Sequence, residues 1–546
     1  MRHWRSAAVA AAALALGGCM GELPKLPQVQ LGNPPLATPG GPAPIKTDAQ
    51  ITNALVGLVQ DKNRFKVDLS QVQPGTPLGD ILNLGSPTGY QLRTRYLSLG
   101  VPLSEALSRN ADPVFRERLI NMARWDSDGE IRSASLVALA WAHDAVHYDV
   151  FREALMHLDA AVRFGALEAL LIWDHPEKAL PLLSQVAERD QEPILRVYAS
   201  GGLARLGDPA GLLRLRGFLD HYSWLVRAMA ASYLGEYGAV EDYDLLVSRI
   251  GRETSNDFVV AEYCIAALKL YPKKHPQQAP ASAPKPQAAP PTLPALPDSF
   301  QLEPLVVRVK RYKEEAALDP QINQHLLRLL QQRMDARPDT QAARDASVGN
   351  LAKLSTATGY KLKTRYTELG FLLTEGLAGV TDLQLSSELE KAARLANNVQ
   401  TRAAAMAALA YTHDLRYLSL FQSASVDPSI TVRFGALESL LTLSDPAVQF
   451  QVGNAARVDA SVPLQVYGAA GMWRMGDIYG REILLRLGQN QDWLVRAMAI
   501  RYLGDLGGAD EYIKILQWFT FESNSMVKAE MCSALLNLQR FNTPPK

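Results

Sequence analysis

The ten residues from Val162 to Leu171 read VRFGALEALL, and 270 positions later Val432 to Leu441 read VRFGALESLL. The copy extends well beyond that peptide. TGYQLRTRYLSLG from Thr88 returns as TGYKLKTRYTELG from Thr358, and WLVRAMAASYLG from Trp224 returns as WLVRAMAIRYLG from Trp493. The offset drifts only from 270 to 268 along the chain, so both halves have nearly the same element lengths. A repeat on this scale constrains architecture before any single residue does. At 546 residues the chain exceeds one ordinary core, since a domain usually holds roughly 100–200 residues. The duplication supplies the two modules.

Within each half a shorter period appears. Ile131-Arg132, Val162-Arg163, Leu195-Arg196 and Val226-Arg227 each open a helix of small and aliphatic residues at intervals of 31 to 33 residues. Thr401-Arg402, Val432-Arg433, Leu464-Gln465, Val495-Arg496 and Val527-Lys528 hold the same slots in the second half. This is the period of stacked helical hairpins. An Asp before the first turn satisfies orphan N–H groups and complements the helix dipole. That assigns Asp159, Arg163, Arg227, Asp492 and Arg496 to capping and packing. Gln465 in place of Arg, and Val260 in the last slot of the first half, should interrupt any ladder of Asp and Arg.

These segments resemble HEAT repeats, in particular the short HEAT-like repeats of phycobilin lyases. Asp159-Ala-Ala-Val-Arg163 followed by FGALEALL carries the resemblance, as does Asp492-Trp-Leu-Val-Arg496 followed by AMAIRYLGDLG. It implies an all-α solenoid built as two tandem modules, 46–271 and 298–546, joined by a Pro- and Ala-rich linker at 272–297. It also implies that the second helix of each hairpin lines a concave face. On a wheel centred at Val162, Ala166, Ala169, Leu170 and Trp173 form the core stripe. Phe164, Glu168 and Leu171 fall opposite, and Phe434, Glu438 and Leu441 repeat them. Small residues such as Ser133, Gly201, Ala228 and Ser232 occupy the neighbouring slots, which predicts a partner-binding groove. A helix buried on both sides is the competing reading of that face.

The start of the chain bears on location. Arg2 and Arg5 precede a short apolar run, Ala7 to Leu16, and then Leu16-Gly17-Gly18-Cys19. About ten apolar residues cannot span a bilayer, which takes ~20, so residues 1–18 read as a signal peptide. The LGGC tetrad resembles the bacterial lipobox, which implies that Cys19 carries lipid. With Met20 next in the chain, the resemblance implies an outer-membrane lipoprotein facing the periplasm. Residues 19–45, rich in Pro and Gly, form a tether.

The 56 basic and 56 acidic residues cancel. No global field draws the chain to phosphate backbones, so nucleic acid is excluded as a partner. The sequence contains no G-x-S-x-G, Walker loop or C-x-x-C. His143 and His147 stand four residues apart, but His413 is followed by Tyr417, so the pair reads as a helix-ending turn rather than a metal site. Cys264 and Cys532 occupy equivalent sites and read as buried hydrophobes. Glu168 with Glu438, and Glu262 with Glu530, are duplicated carboxylates that nothing in the sequence brings together. GYQLRTRY and GYKLKTRY open their modules and read as end caps. The expectation is a lipid-anchored scaffold binding envelope proteins, with no cofactor and no catalysis. The alternative is a lyase of the HEAT-like kind acting on a tetrapyrrole or similar adduct.

Overall fold

The computed structural model describes residues 75–109, 113–274, 320–332, 346–354, 356–377 and 383–539, with isolated residues between 51 and 73. The signal peptide, Cys19, the tether and residues 275–297 of the linker lie outside the described residues. Among the described residues the chain is helix and turn without strand. No helix there is long and apolar enough to cross a membrane.

In the first half the helices are α1 Pro77–Leu82, α2 Pro87–Leu97, α3 Gly100–Arg109, α4 Pro113–Trp125, α5 Gly129–Ala140, α6 Tyr148–Ala154, α7 Ala160–Ile172 and α8 Pro176–Arg189. They continue as α9 Pro193–Arg205, α10 Pro209–Phe218, α11 Trp224–Tyr237, α12 Val240–Ile250 and α13 Asp257–Lys274. The last of these runs through Pro272, three residues into the segment expected to be linker. The second half opens with α14 Pro320–Gln332, α15 Ala346–Lys353, α16 Ala357–Thr367, α17 Leu369–Leu377, α18 Leu383–Leu395 and α19 Val399–Ala410. It closes with α20 Leu418–Ala424, α21 Ile430–Leu443, α22 Gln449–Val458, α23 Val462–Arg474, α24 Tyr479–Leu487, α25 Trp493–Leu506, α26 Ala509–Phe519 and α27 Ser525–Leu538.

Each odd-numbered helix from α5 to α13, and from α19 to α27, packs on the next odd-numbered one, forming the inner layer. The even-numbered helices between them form the outer layer. Close approach follows from the small residues. A Cβ on Gly165 would stand 2.7 Å from the Ser133 Cα, so α7 can lie against α5 only with glycine there.

The turns are built by the residues the repeat pattern singles out. Asp159 Oδ1 accepts the Ala161 N–H at 2.9 Å, and Asp492 Oδ1 accepts from Leu494 and Val495 at 2.8 and 3.3 Å. Arg163 donates to the His157 and Leu158 carbonyls, both at 2.9 Å, and forks onto Asp190 of the next hairpin at 2.8 and 3.0 Å. Arg227 bridges to Glu253, Arg433 to Asp459 and Arg496 to Glu522 in the same way. Gln465 keeps one backbone bond, to the Asp459 carbonyl at 2.7 Å. It is too short to reach the next turn, so the ladder breaks there. His143 and His413 stand at φ 51° and 52° where α5 and α19 end, and Asp144 then caps a short turn through the Val146 N–H at 3.0 Å. Cys264 and Cys532 are buried thiols that are not joined in a disulfide.

The two halves are not separate bodies. The end of the first, α13, packs on α17 of the second, and the end of the second, α27, packs back on α3 of the first. Head meets tail twice, so the solenoid closes on itself with the two halves related by a pseudo-twofold. A heterologous contact of this kind, repeated, makes a ring when the rotation closes.

Candidate functional site: the exchanged helices inside the ring

The residues expected to line an open groove are on the inner face, and the face is covered. Phe164 is 1% exposed and Phe434 0%, Leu171, Glu168 and Glu438 are buried, and Leu441 is half-buried. Phe164 packs on Tyr198 with ring centroids 4.6 Å apart, and Phe434 stacks on Tyr467 at 4.8 Å. Leu171 lies against Gly202, and Leu441 against Gly471, of the following inner helix. Every residue of α7 from Ala160 to Leu171 except Arg163 is buried, the property of a helix apolar all round. Phe164→Ala or Phe434→Ala is expected to cost about 3 kcal/mol of stability. A denaturant midpoint unchanged by either substitution would return these rings to an open surface.

What covers the face is the other half of the chain. α1 and α2 lie along α21, α23 and α25, while α15 and α16 lie along α7, α9 and α11. The two segments expected to cap their own modules therefore cross over and fill each other's concavity. Glu438 Oε1 accepts the Thr88 N–H at 3.0 Å and the Thr88 hydroxyl at 2.8 Å, so a carboxylate of the second half caps the N-terminus of α2. Glu168 Oε1 takes the Thr358 hydroxyl at 2.9 Å at the matching end of α16. An anion at a helix N-terminus meets free N–H groups and the positive dipole end together.

At the other end of each exchanged helix is an arginine. Arg95 donates through Nε and Nη2 to Glu530 at 2.5 and 2.7 Å, and through Nη1 and Nη2 to Glu105 at 2.7 and 2.8 Å. Arg365 forks onto Glu262 at 2.5 and 2.7 Å. All five side chains are buried or nearly so. Burial works against the Arg95 charge, but Glu105 and Glu530 outweigh it and hold the guanidinium protonated. Between the helices, the hydroxyls of Thr94 and Thr364, equivalent residues, meet at 2.5 Å on the pseudo-dyad. Tyr90 meets Phe371 edge-on at 5.5 Å. Tyr360 packs over Gly100, where any Cβ would stand 2.5 Å from its ring. The four duplicated glutamates thus serve the closure. Arg95, Arg365, Thr88 and Thr358 were not singled out from the sequence. Their signal was there: each recurs in both copies on helices that also carry aromatic residues.

Glu168 and Glu438 keep one oxygen, Oε2, without a hydrogen bond. Burial raises both carboxyls above the usual glutamate value of 4.5, and the hydroxyls at Thr356, Thr358, Ser86 and Thr88 only partly offset it. The folded chain therefore binds protons that the unfolded chain releases. Their contribution is fully present below about pH 4.5 and is lost as pH rises through the elevated folded values. Glu168→Gln with Glu438→Gln is expected to raise the melting midpoint at pH 7.5, with the advantage vanishing near pH 4.5. Melts across that range showing a pH-independent difference would contradict this account.

His147 is buried, and burial lowers its pKa despite Asp144. Among the described residues no three His, Cys, Asp or Glu side chains gather in a metal-binding geometry.

Fold and closure together define an α-solenoid of HEAT-type hairpins, sealed by exchange of its own helices. Residues 180–269 match the family model described as HEAT repeats. Among solved structures the chain is similar to human deoxyhypusine hydroxylase in complex with glycerol, at 16% identity over 61% of this chain and 96% of that one, with a TM-score of 0.23. It is similar also to the karyopherin Kap121p bound to the extreme C-terminus of the protein phosphatase Cdc14p, at 15% identity and a TM-score of 0.32, over 89% of this chain. The match takes in about half, 50%, of that karyopherin. An engineered protein matches at 16% identity over 78% of this chain and 98% of that chain, with a TM-score of 0.23. No curated protein matches in sequence.

Proposed function

We propose that the chain is a lipid-anchored, non-catalytic scaffold of the cell envelope, tethered to the outer membrane through Cys19 and binding envelope proteins on the outside of a rigid ring. One observation carries the reading: the concave faces, where a HEAT solenoid would hold a partner, are filled by α2 and α16. Binding then falls to the outer helices and the rims, where Leu415, Ile478 and Tyr479 are exposed. The duplicated carboxylates support the non-catalytic part, because helix capping and arginine pairing occupy them.

The test joins anchor and partner. Photo-crosslinkers placed at Tyr479 and Leu415 in intact cells are expected to capture envelope proteins, and one placed at Phe434 is expected to capture none. Cys19→Ala is expected to abolish lipid labelling and release the chain from the membrane fraction. Lipid labelling that persists in the variant would overturn the anchor, and capture at Phe434 would overturn the closed ring.

A further inference from the structure

One rim of the ring carries the most exposed apolar side chains; on the opposite rim Val146, Tyr237, Val240, Leu415, Ile478 and Tyr479 are fewer and less exposed, at 37% to 70%. The turn that leads from each outer helix into the following inner helix stands at this rim, and Arg163, Arg227, Arg402, Arg433 and Arg496 each bridge one such turn to the next. Eight large apolar side chains project from these turns: Trp125, Met156, Leu158 and Tyr222 in the first half, Leu395, Val426, Val458 and Phe521 in the second. Leu158 is 98% exposed, Phe521 88% and Trp125 78%. Trp125 and Leu395 are equivalent positions, as are Met156 and Val426, so both copies place apolar residues at the same points. These turns do not collapse to hide them. Arg163 holds the Leu158 carbonyl, and Arg227 holds the Tyr222 carbonyl at 3.0 Å. The same arginines pair with Asp190 and Glu253 at the rim, as Arg402 pairs with Asp427, while Asp126, Asp128, Asp159 and Asp492 in these turns accept backbone N–H groups.

We propose that this rim lies against a lipid bilayer, with the exposed side chains entering the interface one turn at a time. The proposal rests on the anchored-scaffold reading for its choice of occupant. Apolar tips one hairpin apart on a single rim suit a bilayer surface better than a protein pocket, which gathers its anchors at one centre. Aromatic and aliphatic residues are those favoured at a membrane interface. The chain's route agrees. Asn53, in the first described segment, accepts from Arg118 of α4 at 3.3 Å, and α4 is the helix that ends in Trp125. The first described segment is thus held on the helix that leads into this rim.

The chain from Met20 onward, made without the leader and without lipid, separates the two questions. With vesicles of phosphatidylethanolamine and phosphatidylglycerol it is expected to co-float. Trp125→Ser, Leu158→Ser, Val426→Ser and Phe521→Ser together should lower the partition coefficient at least tenfold. Leu213→Ser, Phe450→Ser and Ile513→Ser, on outer helices, should leave it unchanged, and melts of both variants should match the parent. No flotation by the parent, or equal losses in both variants, would overturn the proposal. So would unchanged vesicle binding by the rim variant with loss of crosslinked proteins in cells, which would make the rim a protein surface. Failure of Cys19 lipidation alone would remove the anchor and leave the vesicle result standing.

Discussion

A fragment covering residues 46–274 is expected to be a homodimer and not a stable monomer. Its α2 carries Thr88 and Arg95, and its inner helices carry Glu168 and Glu262, the counterparts of the Glu438 and Glu530 that α2 engages in the whole chain. Two copies can therefore seat each other's α2, making the same bonds in a true twofold. Alone, one copy would expose the concave face with Phe164 and Tyr198 and leave Glu262 buried without its cation. Light scattering should give twice the fragment mass, with a melting midpoint that rises with concentration as for an obligate dimer. The fragment 298–546 should behave alike, and the two mixed should reassemble the ring. A monomeric fragment with cooperative melting would show that the exchange is dispensable and the halves autonomous.

The second large effect lies in the buried arginines. Arg95→Ala removes the guanidinium that Glu105 and Glu530 share, with Arg501 the remaining cation near Glu530, and Arg365→Ala removes the one that Glu262 holds. Removing one side of a buried pair costs about 3–5 kcal/mol. With both replaced, the ring is expected to open or fail to fold. Loss through uncompensated charge is distinguishable from loss of packing: Arg95→Met combined with Glu105→Leu and Glu530→Leu removes all three charges and should cost much less than Arg95→Ala. Equal losses would mean that the site contributes shape and not charge. The readout is the denaturant midpoint of the full chain.

Hairpins, caps and repeat length were legible in the sequence because each depends on residues within about one repeat. Asp159, Arg163 and Gln465 are placed as that local logic requires. The ring was not legible, since the contacts that close it join residues hundreds of positions apart and leave no periodicity. The groove was misread for the same reason. Phe164 and Leu171 lie opposite the Ala166 and Leu170 stripe, as the wheel gives, but a wheel does not say what stands on its far side. The signal for burial is subtler: VRFGALEALL is apolar all the way round apart from Arg163 and Glu168. Thr88, Arg95, Glu168 and Glu262 each have a counterpart in the other copy.

Closure by exchange also sets an order of events for the growing chain. Arg95 waits for Glu530, 435 residues further on, so α2 is synthesised long before its seat exists. Contacts of such separation carry loop-closure entropy that must be met before they stabilise anything. α16 meets Glu168 and Glu262 on helices already made, so the last step of folding is the seating of α2. Until it occurs, the apolar concave face of the second half stays open to any neighbouring chain at the same stage. Molecules made close together can trade halves through the very contacts that seal each one, and the yield of single closed rings should fall as the rate of synthesis rises.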